Sequence, residues 1–97
     1  MGTYRLTHKA VEDLNAIWRY TYEEWSEDQA DQYYTRLLQG CQFAADFPSS
    51  GRAYPYIMTG LRGYKVERHI LFYRQMHADE IEVIRILHEM MDIPNRI

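Results

Sequence analysis

Two helical apolar faces meet with almost no chain between them, and no other feature of this sequence restricts the fold as much. Ala10, Val11, Leu14, Ile17, Trp18, Tyr22 and Trp25 recur mostly at steps of three and four residues, the period of one helix face. Thr7 offers an N-cap hydroxyl ahead of them, so a first helix is expected from about His8 to Trp25. Ser26 followed by Gln29 is a capping box that opens a second helix, and Asp28 adds negative charge near that helix's positive end. Ala30, Tyr33, Tyr34, Leu37, Leu38, Cys41, Ala44 and Ala45 carry the second apolar face. It ends near Phe47, because Pro48 disfavours helix in the residue before it. Helices so long, joined by so short a turn, must fold back as a hairpin. Gly40 costs about 1 kcal/mol against Ala inside a helix, which points to a close approach there.

The second half reads differently. Pro48-Ser49-Ser50-Gly51 is loop chemistry, and residues 52–61 form an irregular connector with Pro55 and Gly60. Tyr4–Leu6 and Gly63–Glu67 are short strand candidates. His69–Gln75 is apolar on both faces, as a central strand is. His77-Ala78-Asp79-Glu80 is a turn into a β-rich run, Ile81–Leu87. Connections this short imply an antiparallel meander. The expectation is an α+β fold, a helical hairpin on one face of an antiparallel sheet of about four strands. Whether Tyr4–Leu6 lies at an edge or beside the last strand stays open, as does whether the tail Glu89–Ile97 is helix or coil.

At 97 residues the chain is expected to be one domain. Its net charge of −3 argues against a generic nucleic-acid binder. The charge is uneven, with four Arg/Lys against eight Asp/Glu in residues 1–48 and seven against six in residues 49–97. Such asymmetry favours a protein partner or a local basic site over a wide phosphate-binding face. The single cysteine, Cys41, rules out an intrachain disulfide and sits among helical apolar neighbours as a small buried hydrophobe. Met1 to Thr7 lacks the apolar core of a signal peptide, and no run approaches the roughly 18 apolar residues of a membrane span. The expected place is the cytoplasm. His8, His69, His77 and His88 are scattered, no thiolate cluster exists, and no metal or cofactor is expected.

The ordered set Leu61-Arg62, His69-Ile70-Leu71-Phe72-Tyr73-Arg74, Ile84-Arg85-Ile86-Leu87-His88 and Met91-Asp92 resembles the ParE branch of the ParE/RelE toxin superfamily. Leu6-Thr7, Ala10, Asp13-Leu14, Ile17, Tyr20, Ala30, Tyr33, Pro48 and Gly51 agree in the first half. The resemblance covers nearly the whole chain. It implies a hairpin-on-sheet toxin of a type II toxin–antitoxin system that inhibits DNA gyrase, arrests growth by blocking replication, and is neutralised by a ParD-type antitoxin in a hetero-oligomer. The chain itself is not expected to read a DNA sequence. Two other readings stand beside it: a ribosome-dependent mRNA endonuclease of RelE type, and a chain that has lost toxicity and survives as its antitoxin's partner.

These readings use the residues differently. An endonuclease needs a base for the 2′-hydroxyl, an acid for the leaving oxygen and cations for the phosphate. His88 would serve as acid or base, with Arg85, Arg68 and Lys65 beside the phosphate. Against this, Lys65 is the only Lys of the second half, Glu67, Glu80 and Glu82 dilute the arginines, and His88 also suits a strand-capping imidazole bonded to the tail. A gyrase-binding toxin has no catalytic residue, and its contacts would be Arg62, Arg68, Arg85, His88, Met91 and Asp92. Arg68 and Arg85 could instead pair with Glu67, Glu82 or Asp92 as surface ion pairs. Trp18, Tyr22, Trp25 and Tyr33, with Tyr54 and Tyr56 flanking Pro55, are the expected antitoxin anchors, since rings with a polar edge suit protein contacts. Most of the Trp18–Tyr22–Trp25 stripe is nonetheless expected to be core.

Overall fold

The computed structural model describes residues 1–97. Strand β1 (Thr3–Leu6) leads into helices α1 (His8–Glu24) and α2 (Glu27–Asp46), followed by a 3-10 turn at Pro48–Ser50. Strands β2 (Arg52–Ala53), β3 (Arg62–Val66), β4 (His69–His77) and β5 (Glu80–His88) come next, and the short helix α3 (Ile93–Arg96) closes the chain. Both expected caps form. The Ser26 hydroxyl accepts the Gln29 amide at 3.1 Å. The Thr7 hydroxyl accepts the Ala10 amide at 3.1 Å and donates to the Ile84 carbonyl at 2.7 Å. The residue that starts α1 therefore also fastens it to the sheet.

The sheet runs β1-β5-β4-β3-β2. It has five strands rather than about four, and it is mixed. β1 lies beside the last strand and parallel to it, from Thr3 opposite Glu80 to Leu6 opposite Val83. A parallel neighbour needs a long crossover, and the helical hairpin is part of it. The fifth strand is a two-residue edge, Arg52 opposite Gly63 and Ala53 opposite Arg62, inside the segment expected to be irregular. β4 is central, as its two apolar faces require. Leu71 and Tyr73 join Leu14, Leu37, Cys41, Ala44, Ile81, Val83 and Ile86 in the main core beneath the helices. Phe72 faces the other way, where Leu61, Leu87, Tyr54, Ile57, Ile93 and Ile97 form a second, smaller core. The connector and tail thus cover the sheet face that the helices leave bare.

Two close fits hold the layers. Gly40 is buried, and a methyl group there would lie 2.6 Å from Val66 Cγ2, so this glycine lets α2 settle on β3. The Tyr73 hydroxyl donates to the Pro48 carbonyl at 2.7 Å and accepts the Gly51 amide at 3.0 Å, tying the 3-10 turn to the centre of the sheet.

Candidate functional site

The β4–β5 ladder places two histidines opposite each other. His69 stands eight residues before His77 and His88 eight after Glu80, and the ladder pairs them directly. Their rings meet edge to face with centroids 5.3 Å apart. The Tyr33 hydroxyl reaches across from α2 to His69 Nδ1 at 2.6 Å. Burial, followed by the neighbouring His88, pushes the His69 pKa down to about 4. The ring is therefore neutral at pH 7, with a single N–H, and Nδ1 shares one hydrogen bond with the tyrosine hydroxyl, which also lies 3.4 Å from the Val66 carbonyl. Burial likewise raises the Tyr33 pKa. His88 Nδ1 accepts the Met90 amide at 3.1 Å and so caps the strand end against the tail.

This trio floors an open cleft of about 720 Å³ between the tip of the hairpin and the ends of β3 to β5. Ile17, Tyr20, Trp25 and Met91 give it an apolar wall, and Arg36, Glu67 and Arg68 a polar rim. Glu67 turns β3 into β4 with φ +52°, a left-handed conformation uncommon for a residue with a Cβ. Its carboxylate holds Arg36 at 2.7 Å. Lys65 holds Glu89 at 2.8 Å, and this bond lowers the Glu89 pKa. Arg68 is exposed and makes no ion pair.

Arg85 lies elsewhere than a surface reading of the sequence expects. Phe72 faces Arg85 and Tyr73 faces Val83, so Ile84 is an extra residue on β5, a bulge that re-aims its neighbours. Just beyond, β1 has ended and the edge of β5 is open. Asp13 of α1 closes it. One carboxylate oxygen accepts the Ile86 amide at 2.9 Å and Arg85 Nε at 2.8 Å, and the other accepts Arg85 Nη2 at 2.9 Å. Arg85 Nη1 donates to the Arg96 carbonyl of the tail. The two side chains are only 16% and 15% exposed, and Asp13 supports the arginine's charge. The partner is thus Asp13, not Glu67, Glu82 or Asp92.

The expected site residues fall into separate places. Trp25, Tyr33, Arg68, His88 and Met91 share the cleft. Trp18 and Tyr22 stack on the outer side of α1 with centroids 5.3 Å apart, and Trp18 Nε1 donates to Asp31 at 2.9 Å. Trp25 is 71% exposed and Tyr22 49%, so the far end of the aromatic stripe is surface rather than core. The hairpin outruns the sheet there. Tyr54 packs edge-on against Phe72 while Tyr56 is exposed. Arg62, at the other end of β3, donates to the Gly51 carbonyl at 2.8 Å. Asp92 accepts from the Asn95 side chain. His69, Arg36 and Tyr20 also line the cleft, and none of them is among the site residues expected from the sequence. The equal spacing of His69 and His88 from the intervening turn was the signal for the histidine pair. No group of three or more His, Cys, Asp or Glu is placed to hold a metal ion, and no helix is long and apolar enough to cross a membrane.

Two helices over one face of a small mixed sheet is also the fold of a chain solved in the chromosomal ParDE toxin–antitoxin system from P. aeruginosa. The likeness has a TM-score of 0.75 at 21% identity and covers 91% of this chain and 96% of that one. The family described as ParE toxin of type II toxin-antitoxin system, parDE, matches residues 4–93. Toxin ParE1 of Mycobacterium tuberculosis is 38% identical over 94 residues, covering 97% of this chain and 96% of its own. Toxin ParE of Escherichia coli is 33% identical over 97 residues, covering all of this chain and 94% of its own. The chain belongs to the ParE toxin family of type II toxin–antitoxin systems.

Proposed function

We propose that this toxin inhibits DNA gyrase and so blocks replication in the cytoplasm, and that a ParD-type antitoxin neutralises it by direct binding. One observation supports a binding toxin over a nuclease. Of the cations at the cleft end, Arg36, Lys65 and Arg85 each hold a carboxylate, at 2.7, 2.8 and 2.8 Å, which leaves Arg68 alone. Cleaving RNA develops charge on a phosphate that several free cations must meet. The apolar wall of Ile17, Tyr20, Trp25 and Met91 suits instead an amphipathic segment of the antitoxin. On this reading Arg62, Arg68, His88, Met91 and Asp92 are toxicity contacts, and Arg85 acts by holding the tail in place.

The endonuclease reading keeps one observation in its favour, since His88 and Arg68 line the same cleft. Induction without antitoxin separates the two. With labelled precursors, DNA synthesis is expected to fall before protein synthesis, and purified toxin is expected to stop gyrase supercoiling and leave cut DNA. Protein synthesis collapsing first, with mRNA cleavage lost in a folded His88→Ala variant, would replace gyrase inhibition by nuclease action.

A further inference from the structure

A second cleft, of about 540 Å³, opens at the other end of β3, where Thr59, Gly60, Arg62, Arg74, Gln75 and Met76 line it. Its charge is unlike that of the rest of the molecule. Residues 47–66 contain Arg52, Arg62 and Lys65 and no Asp or Glu, in a chain of net charge −3. Arg62 meets no carboxylate. One of its five N–H donors goes to the Gly51 carbonyl, and the others have no partner in the protein. Arg74 is loosely held, with Nη2 4.0 Å from a Glu82 carboxylate that also faces Arg5 at 3.6 Å. The Thr59 and Gly60 amides donate to no protein group. On the adjoining edge strand the Arg52 guanidinium lies over the Tyr54 ring at 5.5 Å, beside the exposed Tyr56.

We propose that this Arg62–Arg74 cleft binds two neighbouring phosphates of a nucleic-acid backbone, so that the toxin makes a weak, sequence-independent contact with the strand near which it acts. Guanidinium forks match phosphate oxygens in pairs of hydrogen bonds. Unpaired amides beside them are further anion donors. An acidic peptide fits less well, because peptide docking relies on buried apolar anchors and Met76 is the main apolar side chain the cleft offers. Nothing in the lining is arranged to read base edges, in keeping with a backbone contact. With so few cations the contact is a local one, and the acidic helical half keeps it from spreading.

Fluorescence anisotropy of a labelled duplex of about 20 base pairs, titrated with the full chain at low salt, tests the cleft directly. Saturable binding is expected, weakening as salt rises with a slope near two on logarithmic axes, about 0.9 for each phosphate engaged. Arg74→Gln, whose side chain holds no part of the fold beyond the loose Glu82 contact, weakens binding several-fold and removes about one phosphate from that slope. Lys9→Gln, which deletes the same unit charge from the exposed start of α1, leaves both unchanged. Arg62→Lys keeps the charge but not the fork and gives an intermediate loss. A single-stranded RNA of equal length, bound more tightly than the duplex and equally sensitive to Arg74→Gln, supports the cleft and assigns the strand to RNA. The proposal is overturned by absence of saturable binding, by equal loss in Lys9→Gln, or by polyglutamate binding as tightly as the duplex.

Discussion

Asp13 shows how one side chain can close an edge, neutralise a cation and position a tail. Its carboxylate takes the Ile86 amide that no strand reaches and both forks of Arg85. Removing one member of such a largely buried pair strands the other, which typically costs about 3–5 kcal/mol. Asp13→Ala is therefore expected to lose about 3 kcal/mol, measured by urea unfolding. A loss under 0.5 kcal/mol, the scale of ordinary surface substitutions, would mean that the clasp is not a structural tie. His69 sets the response to acid. Its folded pKa, about 4, lies below the usual 6.5, so between those values the unfolded chain binds more protons than the folded one, and stability falls as pH drops through that window. His88 beside it disfavours the charge, while Asp13 and Glu89 partly offset that effect, and Tyr33 occupies Nδ1. His69→Gln should flatten the decline in melting temperature between about pH 6.5 and pH 4; an unchanged slope would place the acid sensitivity on another group.

The α2–β3 contact at Gly40 pits helix propensity against packing. Gly40→Ala gains about 1 kcal/mol of propensity, yet its methyl group would sit 2.6 Å from Val66 Cγ2 and 3.0 Å from Leu71 Cδ1. Val66 is branched at Cβ and rotates little, and overpacking costs about 1–3 kcal/mol. The net expectation is a loss of about 1 kcal/mol by thermal or urea unfolding, and a gain in stability would show that the layers slide apart freely. What the sequence makes legible follows from range. The hairpin could be read because Thr7 and Ser26 cap within three residues and the apolar steps are local. β4 could be read as central because it is apolar on both sides. β1 pairs with a strand some 77 positions away, and β2 is two residues long, so neither leaves a local pattern. The cleft was half legible, with Trp25, Tyr33, Arg68, His88 and Met91 named but not joined. Arg85 was misplaced because a charge in a β-run reads as surface, while the bulge at Ile84 and a carboxylate 72 residues away decide where it goes.

Across the whole molecule the two clefts lie at opposite ends of β3 and differ in the forces they offer. The hairpin end carries an apolar wall, so an antitoxin segment docking there gains mainly from burying Trp25, Tyr20 and Met91, which stand 71%, 65% and 41% exposed. Apolar burial is insensitive to moderate salt, whereas exposed charge pairs are screened over about 10 Å at 0.1 M. The Arg62–Arg74 end has little apolar surface, and a phosphate contact there releases counterions. The two contacts should therefore separate under salt. Between about 50 and 500 mM NaCl, antitoxin affinity should change by less than about threefold, while duplex DNA binding should fall by roughly sixtyfold for two phosphates. Trp25→Ser should weaken the antitoxin by about tenfold or more, the scale of a hot-spot ring, without lowering the melting temperature, because the ring contributes little to the free fold. Titration calorimetry at both salts checks the first pair, and its repetition with Trp25→Ser checks the second. If antitoxin affinity instead fell with salt as steeply as DNA binding, the antitoxin would be held by charge, and Arg68 rather than the tryptophan would be its anchor.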